Sequence, residues 1–119
     1  MNSNALAERL LSFAVAIIKM SKKMPNTYAA RHIYKQLIRS SSSCGANYEE
    51  TIAAESRADF CHKLQIVLKE IRESNYWLKL LRQSGLVESK KIEPLIKESY
   101  ELIKIVSKSV KTAKGKKIS

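Results

Sequence analysis

Residues 58–81 read ADFCHKLQIVLKEIRESNYWLKLL and decide the fold class of this chain. Apolar residues recur in this stretch at intervals of three, four and seven, the spacing of one face of an α-helix. The predicted inward face consists of Phe60, Leu64, Val67, Ile71, Leu78 and Leu81. Ser56 and Asp59 resemble a capping box, and Gly85 supplies a C-terminal stop. A helix is therefore predicted over about residues 57–84.

Three more helices are predicted from the same periodicity. The first covers about residues 4–22, the second about 27–54 and the fourth about 93–112, with Pro94 in its first turn. Their predicted inward faces are Leu6, Leu10, Phe13, Ala14, Ile17 and Ile18 in the first, Ala30, Ile33, Leu37, Ser41, Cys44, Tyr48 and Ile52 in the second, and Leu95, Ile96, Ser99, Leu102, Ile103 and Val106 in the fourth.

The connections between these helices are short. A break at Pro25 precedes Asn26 and Thr27, either of which is placed to cap the second helix. Four antiparallel helices with short connections make an up-and-down bundle. We therefore predict an all-α fold, with one four-helix bundle domain over residues 1–113 and a basic tail over residues 114–119 that frays.

Small residues interrupt the middle of the second helix. Residues 40–43 are all serine and Gly45 follows, although both residue types are poor helix formers. One interpretation is a kink at Gly45. The other is that the small side chains admit a neighbouring helix at short distance, and we expect this close packing to matter more.

The charge balance limits the possible partners. The chain has 22 Lys and Arg against 11 Asp and Glu, a formal charge of +11. This excess favours polyanionic partners, and the alternative is that it serves solubility alone. Cys44 and Cys61 fall at apolar helical positions, so we expect both to pack as small hydrophobic residues in a reduced setting.

The apolar run LLSFAVAII at residues 10–18 is interpreted as a core helix. Glu8 and Arg9 precede it without net positive charge, and no small-residue cleavage site follows it. It is also shorter than the roughly 20 residues that span a bilayer. A cytoplasmic location is expected.

The sequence predicts neither an enzyme nor a cofactor protein. His32 and His62 are the only histidines, and neither lies in a nucleophile or metal motif. Asp59 and His62 have the spacing of half a di-iron site, but the second pair is missing, so Asp59 is better interpreted as an acid at a helix N-terminus. No catalytic residue, cofactor or metal ligand is predicted.

A second informative stretch is QLIRSSSSCGANYEE at residues 36–50. Together with residues 58–81 it resembles the bacterial four-helix-bundle family of 23S rRNA intervening-sequence proteins, most strongly over residues 28–81. The matching positions are Ser43, Gly45, Ala46, Asn47, Glu49 and Glu50 in an S-x-G-A-N-x-E-E pattern, and Asp59, Phe60, His62, Lys63, Leu64, Lys69, Glu70, Tyr76, Trp77 and Leu78. The chain is more distantly similar to accessory variability determinant proteins of diversity-generating retroelements.

The resemblance implies a cyclic homopentamer of four-helix subunits. In the accessory proteins such a basic ring engages a reverse transcriptase and nucleic acid, whereas the 23S rRNA family has no settled biochemical role. Self-association is also predicted from the third helix, which is apolar outside its inward stripe. The predicted interface is Ile66, Tyr76, Trp77 and Leu80. The alternative is that a loop or the first helix covers these residues.

Three polar residues of the second helix, Asn47, Glu49 and Glu50, are candidates for a structural role. Asn47 and Glu50 share a helix face. We favour a role in fixing the register of helices or subunits, and the alternative is a site for a ligand that nothing nearby identifies.

The basic residues carry the functional prediction. Arg31, Lys35 and Arg39 recur every four residues and form a positive ridge on the second helix. The other predicted nucleic-acid contacts are Lys19, Lys22, Lys23, Lys111 and Lys114. We predict a non-enzymatic basic oligomer that binds RNA or DNA backbones with little sequence specificity. The alternative is a scaffold ring that recruits a partner protein, its charge serving solubility or steering. Membrane association is not expected.

Overall fold

The computed structural model describes residues 1–118, with side chains described for residues 1–115. It contains the helices α1 (Ser3–Ser21), α2 (Tyr28–Ile52), α3 (Arg57–Gln83) and α4 (Ser89–Ile118). No strand occurs within residues 1–118. The all-α prediction and the four-helix bundle are therefore confirmed, and the molecule measures 50 × 21 × 20 Å.

The helices pack in a ring that follows chain order. α2 packs against α1 and α3, α3 also packs against α4, and a thinner contact between α4 and α1 closes the ring. α1 and α3 are thus diagonal to each other, as are α2 and α4. The α1–α2 and α3–α4 connections lie at one end of the bundle, here called the loop end. At the thin α1–α4 contact, Arg9 Nε and Nη2 donate to Glu98 Oε2 and Oε1 at 2.7 and 2.8 Å.

Short polar residues begin two of the helices as predicted. The Thr27 hydroxyl accepts from Ala30 N at 3.2 Å, and the Ser56 hydroxyl accepts from Asp59 N at 3.0 Å. The Asp59 carboxylate pairs with Lys63 at 3.5 Å, one turn further along the helix. Gly85 follows α3 with a φ of 73°, a left-handed conformation that favours glycine.

The fourth helix is longer than predicted at both ends. It begins at Ser89 because the amides of Lys91 and Ile92 bond to Glu88 O and because Ile92 is fully buried, which adds a turn to the core. Pro94 therefore lies inside the helix and not in its first turn. The helix continues to Ile118, through most of the tail that was predicted to fray. The side chains of residues 116–118, and all of residue 119, lie outside the described residues.

Most of the predicted inward faces are buried, with two clear exceptions. Ile18 is 41% exposed and Ile52 is 45% exposed, so their assignment to the core is wrong. Ile18 shares a solvent-facing side of α1 with Leu11 and Val15. At the end of α2 it is Thr51, fully buried, that takes the inward position beside Ile52. Both cysteines are buried as predicted.

The small residues of α2 allow close packing against α1. α2 is continuous through Gly45, and a Cβ placed there would lie 3.8 Å from Leu10 Cβ and 3.9 Å from Leu11 N. These are ordinary van der Waals distances, so the backbone of α2 lies close to α1 at Gly45 and an alanine would still fit there. This contact supports close packing as the role of the segment.

Two hydrogen bonds between buried side chains set the position of α3. The hydroxyls of Ser40 on α2 and Ser74 on α3 lie 2.8 Å apart. Asn75 Nδ2 donates to Ser99 Oγ on α4 at 2.8 Å. All four residues are at most 5% exposed. Sliding α3 along either neighbour would leave these groups without their cross-helix partners, so the two bonds specify one register.

Candidate nucleic-acid interface

One face of α4 carries a row of lysines, the α4 lysine ridge. Its members recur at intervals of seven, seven, four and three residues and are Lys90, Lys97, Lys104, Lys108 and Lys111. At 3.6 residues per turn they fall within about 60° of the helix circumference and span about 30 Å. All are exposed, and none forms an ion pair with an Asp or Glu side chain of the described residues. Glu93, which pairs with Arg82, and Glu101 also lie on or beside this face, so the ridge is a long surface with an excess of positive charge.

A pocket at the loop end, lined by four lysines and by Glu88, lies beside the first lysine of the ridge. Three of the predicted contacts, Lys19, Lys22 and Lys23, line it together with Lys91, the neighbour of the first ridge lysine. Its volume is about 710 Å³. The apolar part of its lining is Met20, Met24, Leu86 and Val87. The structure thus joins the exit of α1 to the beginning of α4, a proximity that only the packed bundle creates.

The three predicted contacts on α2 differ from one another. Arg39 is paired with both Glu70 and Glu73 of α3. Arg31 Nη1 donates to Asn26 Oδ1 at 2.7 Å, and Lys35 is exposed. Because α2 is diagonal to α4, these residues lie on a different side of the bundle from the α4 lysine ridge. The predicted contacts therefore form more than one surface.

Sequence reasoning missed Lys90, Lys97 and Lys104. Lys111 was predicted, and the spacing of three, four, seven and seven residues that leads back from it was visible in the sequence. The signal was the helical period of the lysines, because residues that recur with this period share one face of a helix whether they are charged or apolar. It was missed partly because the predicted fourth helix began after Lys90.

The predicted self-association face on α3 is less exposed than expected. Trp77 and Leu80 are half-buried and pack against the core, and Ile66 is also half-buried. Tyr76 alone is largely exposed. Trp77 Nε1 donates to Glu73 Oε2 at 3.0 Å. This hydrogen bond, and then the pairing with Arg39, hold the pKa of Glu73 below its usual value.

The most exposed aliphatic surface lies instead on α1. Leu11, Val15 and Ile18 are 57%, 40% and 41% exposed and form a stripe at helical spacing. With Gly45 and Ala46 of α2 they line a groove of about 420 Å³, here called the α1 groove. The sequence hid this stripe because residues 10–18 are apolar almost throughout, so that two opposite faces of the helix look alike.

The polar candidates of α2 make no side-chain hydrogen bond or ion pair to another helix within the described residues. Asn47 Nδ2 donates to Ser43 O on its own helix at 2.8 Å, and Glu49 and Glu50 are exposed. Within one chain the register bonds come from Ser40–Ser74 and Asn75–Ser99 instead. A role for Asn47 or Glu50 between subunits stays a prediction.

The described residues hold no group of three or more His, Cys, Asp or Glu side chains arranged to bind a metal ion. His32 and His62 are exposed on different helices. Burial raises the pKa of the Cys44 thiol to about 12, which removes thiolate character at neutral pH. None of the described helices combines the length and the apolar character that crossing a membrane requires.

Comparisons with known proteins agree with this architecture. The family model described as 23S rRNA-intervening sequence protein matches residues 3–108. A solved structure from Bacteroides thetaiotaomicron VPI-5482, a protein with unknown function from the S23 ribosomal protein family, is 37% identical in sequence. The similarity covers 93% of this chain and 99% of that chain, with a TM-score of 0.85. No curated protein matches the chain.

Proposed function

Because the chain belongs to the 23S rRNA-intervening sequence protein family, we propose that it is a non-enzymatic, self-associating basic bundle that binds nucleic-acid backbones with little sequence specificity. The observation that carries this proposal is the α4 lysine ridge. Its lysines are exposed, share one face and lack acidic partners among the described side chains. Such a row neutralises successive phosphates and releases their condensed counterions.

The distribution of ion pairs supports the proposal. Acidic residues of this chain pair with Arg9, Arg39 and Arg82, which reduces the arginines free to bind phosphate. The ridge lysines form no ion pair with a described acidic side chain and can therefore bind a ligand. Lysine acts on phosphate as a point charge, without the bidentate geometry with which arginine reads a base or orients a phosphate. Backbone binding with weak sequence preference follows from this composition.

Self-association is the second part of the proposal. We assign it to the α1 groove and not to the α3 face, because Leu11, Val15 and Ile18 have no packing partners in their own bundle comparable to those of Trp77 and Leu80. A cyclic homopentamer, the assembly implied by the family resemblance, would carry five times the charge of +11, a formal +55. Light scattering of Val15→Lys beside the unaltered chain tests this assignment. An unchanged assembly mass in the variant would contradict it.

Salt-dependent binding tests the nucleic-acid proposal. Fluorescence anisotropy with labelled duplex DNA and structured RNA is measured across a salt series, using nuclease-treated protein. A triple variant, Lys97→Gln, Lys104→Gln and Lys108→Gln, removes the centre of the ridge. If each lysine meets one phosphate, the slope of log affinity against log salt falls in magnitude by about 2 to 3.

A matched variant separates the ridge from net charge. Arg57→Gln, Lys63→Gln and Lys79→Gln remove the same number of cations from α3. This variant should keep most of the slope, because long-range charge alone is screened beyond about a Debye length. Equal slopes in the two variants would contradict a role for the ridge. No binding to either probe would overturn the proposal.

A protein scaffold is the alternative function, and the α1 groove favours it, since apolar grooves also accept partner proteins. In that case the charge serves solubility or steering, and the anisotropy series shows a shallow salt response.

A further inference from the structure

A row of four aromatic rings, the aromatic row, crosses the surface between α2 and α3. Tyr28 and His32 lie nearly parallel with centroids 6.4 Å apart. His32 meets Trp77 edge-on at 6.1 Å, and Trp77 meets Tyr76 edge-on at 5.2 Å. The rings at the two ends are open to solvent, with Tyr28 80% and Tyr76 56% exposed. Two helices therefore contribute to one continuous aromatic surface.

Cations border this row on both helices. On α2, Arg31 and Lys35 follow Tyr28 by three and seven residues and share its side of the helix. On α3, Lys69 and Arg72 precede Tyr76 by seven and four residues. These four cations are exposed, and none forms an ion pair with an acidic side chain of the described residues. Aromatic faces beside these exposed cations match the bases and the phosphates of a nucleotide.

The two carboxylates nearby are outnumbered by cations. Arg39 pairs with both Glu70 and Glu73, and together with Arg31, Lys35, Lys69 and Arg72 it gives five positive charges against two negative ones on this surface. Glu73 also accepts the Trp77 indole hydrogen bond, which fixes the orientation of the ring in the middle of the row. A ring held in this way loses little entropy when a ligand binds beside it.

We propose that the aromatic row is a stacking platform for unpaired nucleobases, so that this side of the bundle binds single-stranded nucleic acid in preference to a duplex. Bases stack on the open faces of Tyr28 and Tyr76, and the phosphates between them lie against the bordering cations. In a duplex each base is already stacked and paired, and it presents no free face to the rings. The inference rests on the proposed nucleic-acid binding and specifies its ligand class at a surface separate from the α4 lysine ridge.

Charge distinguishes this ligand from a second copy of the chain. In a face-to-face contact between two copies, the bordering residues Arg31, Lys35, Lys69 and Arg72 of one copy would meet the same four cations of the other. Like charges brought together at an interface are unfavourable, whereas a polyanionic strand gains from the same groups.

Strand-selective binding tests the inference. Oligonucleotides of one sequence are compared as single strand and as duplex, in ribose and deoxyribose forms, by anisotropy. Trp77 is the only tryptophan, so quenching of intrinsic fluorescence reports on the row itself. We expect tighter single-strand binding with quenching. Tyr28→Ala and Tyr76→Ala should each weaken single-strand binding about tenfold, and the Tyr→Phe substitutions should retain it, because stacking needs only the ring.

The matched control is Tyr100→Ala, which removes an exposed tyrosine on α4 that lies under Lys79. Because Tyr100 lies one turn from Lys97 and Lys104 of the α4 lysine ridge, this variant should leave the Trp77 quenching unchanged even where it lowers overall affinity. Ribose and deoxyribose strands both offer base faces, and comparing them identifies which of the two the row binds better.

The remaining outcomes separate this inference from the proposed function. Equal affinity for both strand forms, without quenching and without an effect of the tyrosine variants, would overturn the stacking platform while leaving backbone binding intact. Absence of binding to every probe would overturn both. Trp77 fluorescence that changes with protein concentration alone would show that the row is an interface between copies, and would also overturn the inference.

Discussion

Replacing Asn75 by aspartate should produce a pH-dependent loss of stability. Asn75 is 5% exposed, and its Nδ2 donates to Ser99 Oγ at 2.8 Å. Aspartate is nearly isosteric but has no amide hydrogens. Ser99 has one hydroxyl hydrogen, and it already donates to Ile96 O at 2.6 Å. An ionised carboxylate at position 75 would therefore be buried without a donor.

The sign and size of the effect follow from burial. Burial raises the folded-state pKa of the new carboxyl above its unfolded value of about 3.9. The penalty is therefore absent at pH below the unfolded pKa and grows as pH rises toward the folded pKa. A shift of about 3 units corresponds to about 4 kcal/mol at neutral pH. Asn75→Ala, by contrast, should cost about 1–3 kcal/mol independently of pH.

Urea unfolding followed by far-UV circular dichroism measures these free energies at about pH 4.5 and about pH 7. Protein concentration is held constant, because self-association would also shift apparent stability. The control is Asn26→Asp, since exposed Asn26 accepts a hydrogen bond from Arg31 that a carboxylate can also accept. It should change stability by no more than about 0.5 kcal/mol. A loss below about 1 kcal/mol for Asn75→Asp at both pH values would refute the buried register bond.

Three further predictions concern other parts of the bundle. Gly45→Ala should stabilise the protein by about 0.5–1 kcal/mol in thermal unfolding, because the helix interior favours alanine and the new Cβ meets Leu10 at 3.8 Å; destabilisation would show that α1 packs closer than this. The folded-state pKa of Glu73 is below its ordinary value of 4.5. The ionised Glu73 therefore contributes fully to the free energy of unfolding at pH above 4.5, and this contribution is lost as pH falls through the lower folded-state pKa. Glu73→Gln should then reduce the loss of unfolding free energy in acid, and an equal loss in both proteins would contradict the pairing with Trp77. Cys44 in the folded protein should resist thiol-reactive reagents near neutral pH, because burial raises its pKa to about 12; rapid labelling found by mass spectrometry would count against its burial.

Much of the fold could be predicted from local sequence patterns. The cap at Ser56 and the stop at Gly85 were identified correctly, and the cap of α2 was limited to Asn26 or Thr27, because each signal depends on a few neighbouring residues. The extra turn at the start of α4 could not be seen locally, since it depends on the burial of Ile92 against the rest of the bundle. The exposed side of α1 was hidden for a related reason: in an apolar segment, periodicity does not say which face meets the core.

The candidate site was predicted less completely than the fold. Lys19, Lys22 and Lys23 do lie together at the loop end, but Arg39 is paired with carboxylates from another helix. That pairing depends on the rotation and register of α2 against α3, which are set by packing and by buried bonds such as Ser40–Ser74. The number of charges along the chain gives neither the rotation nor the register of α2 against α3.

The sequence by itself determined the helices, their order and the excess of positive charge, because periodicity, capping and composition are properties of neighbouring residues or of the whole chain. Tertiary structure alone decided which charges stay free and which rings meet. The α4 lysine ridge faces solvent because α4 packs its other side against α3 and α1. The aromatic row exists because residues of α2 and α3 far apart in the chain, such as His32 and Trp77, come within 6.1 Å when the two helices pack.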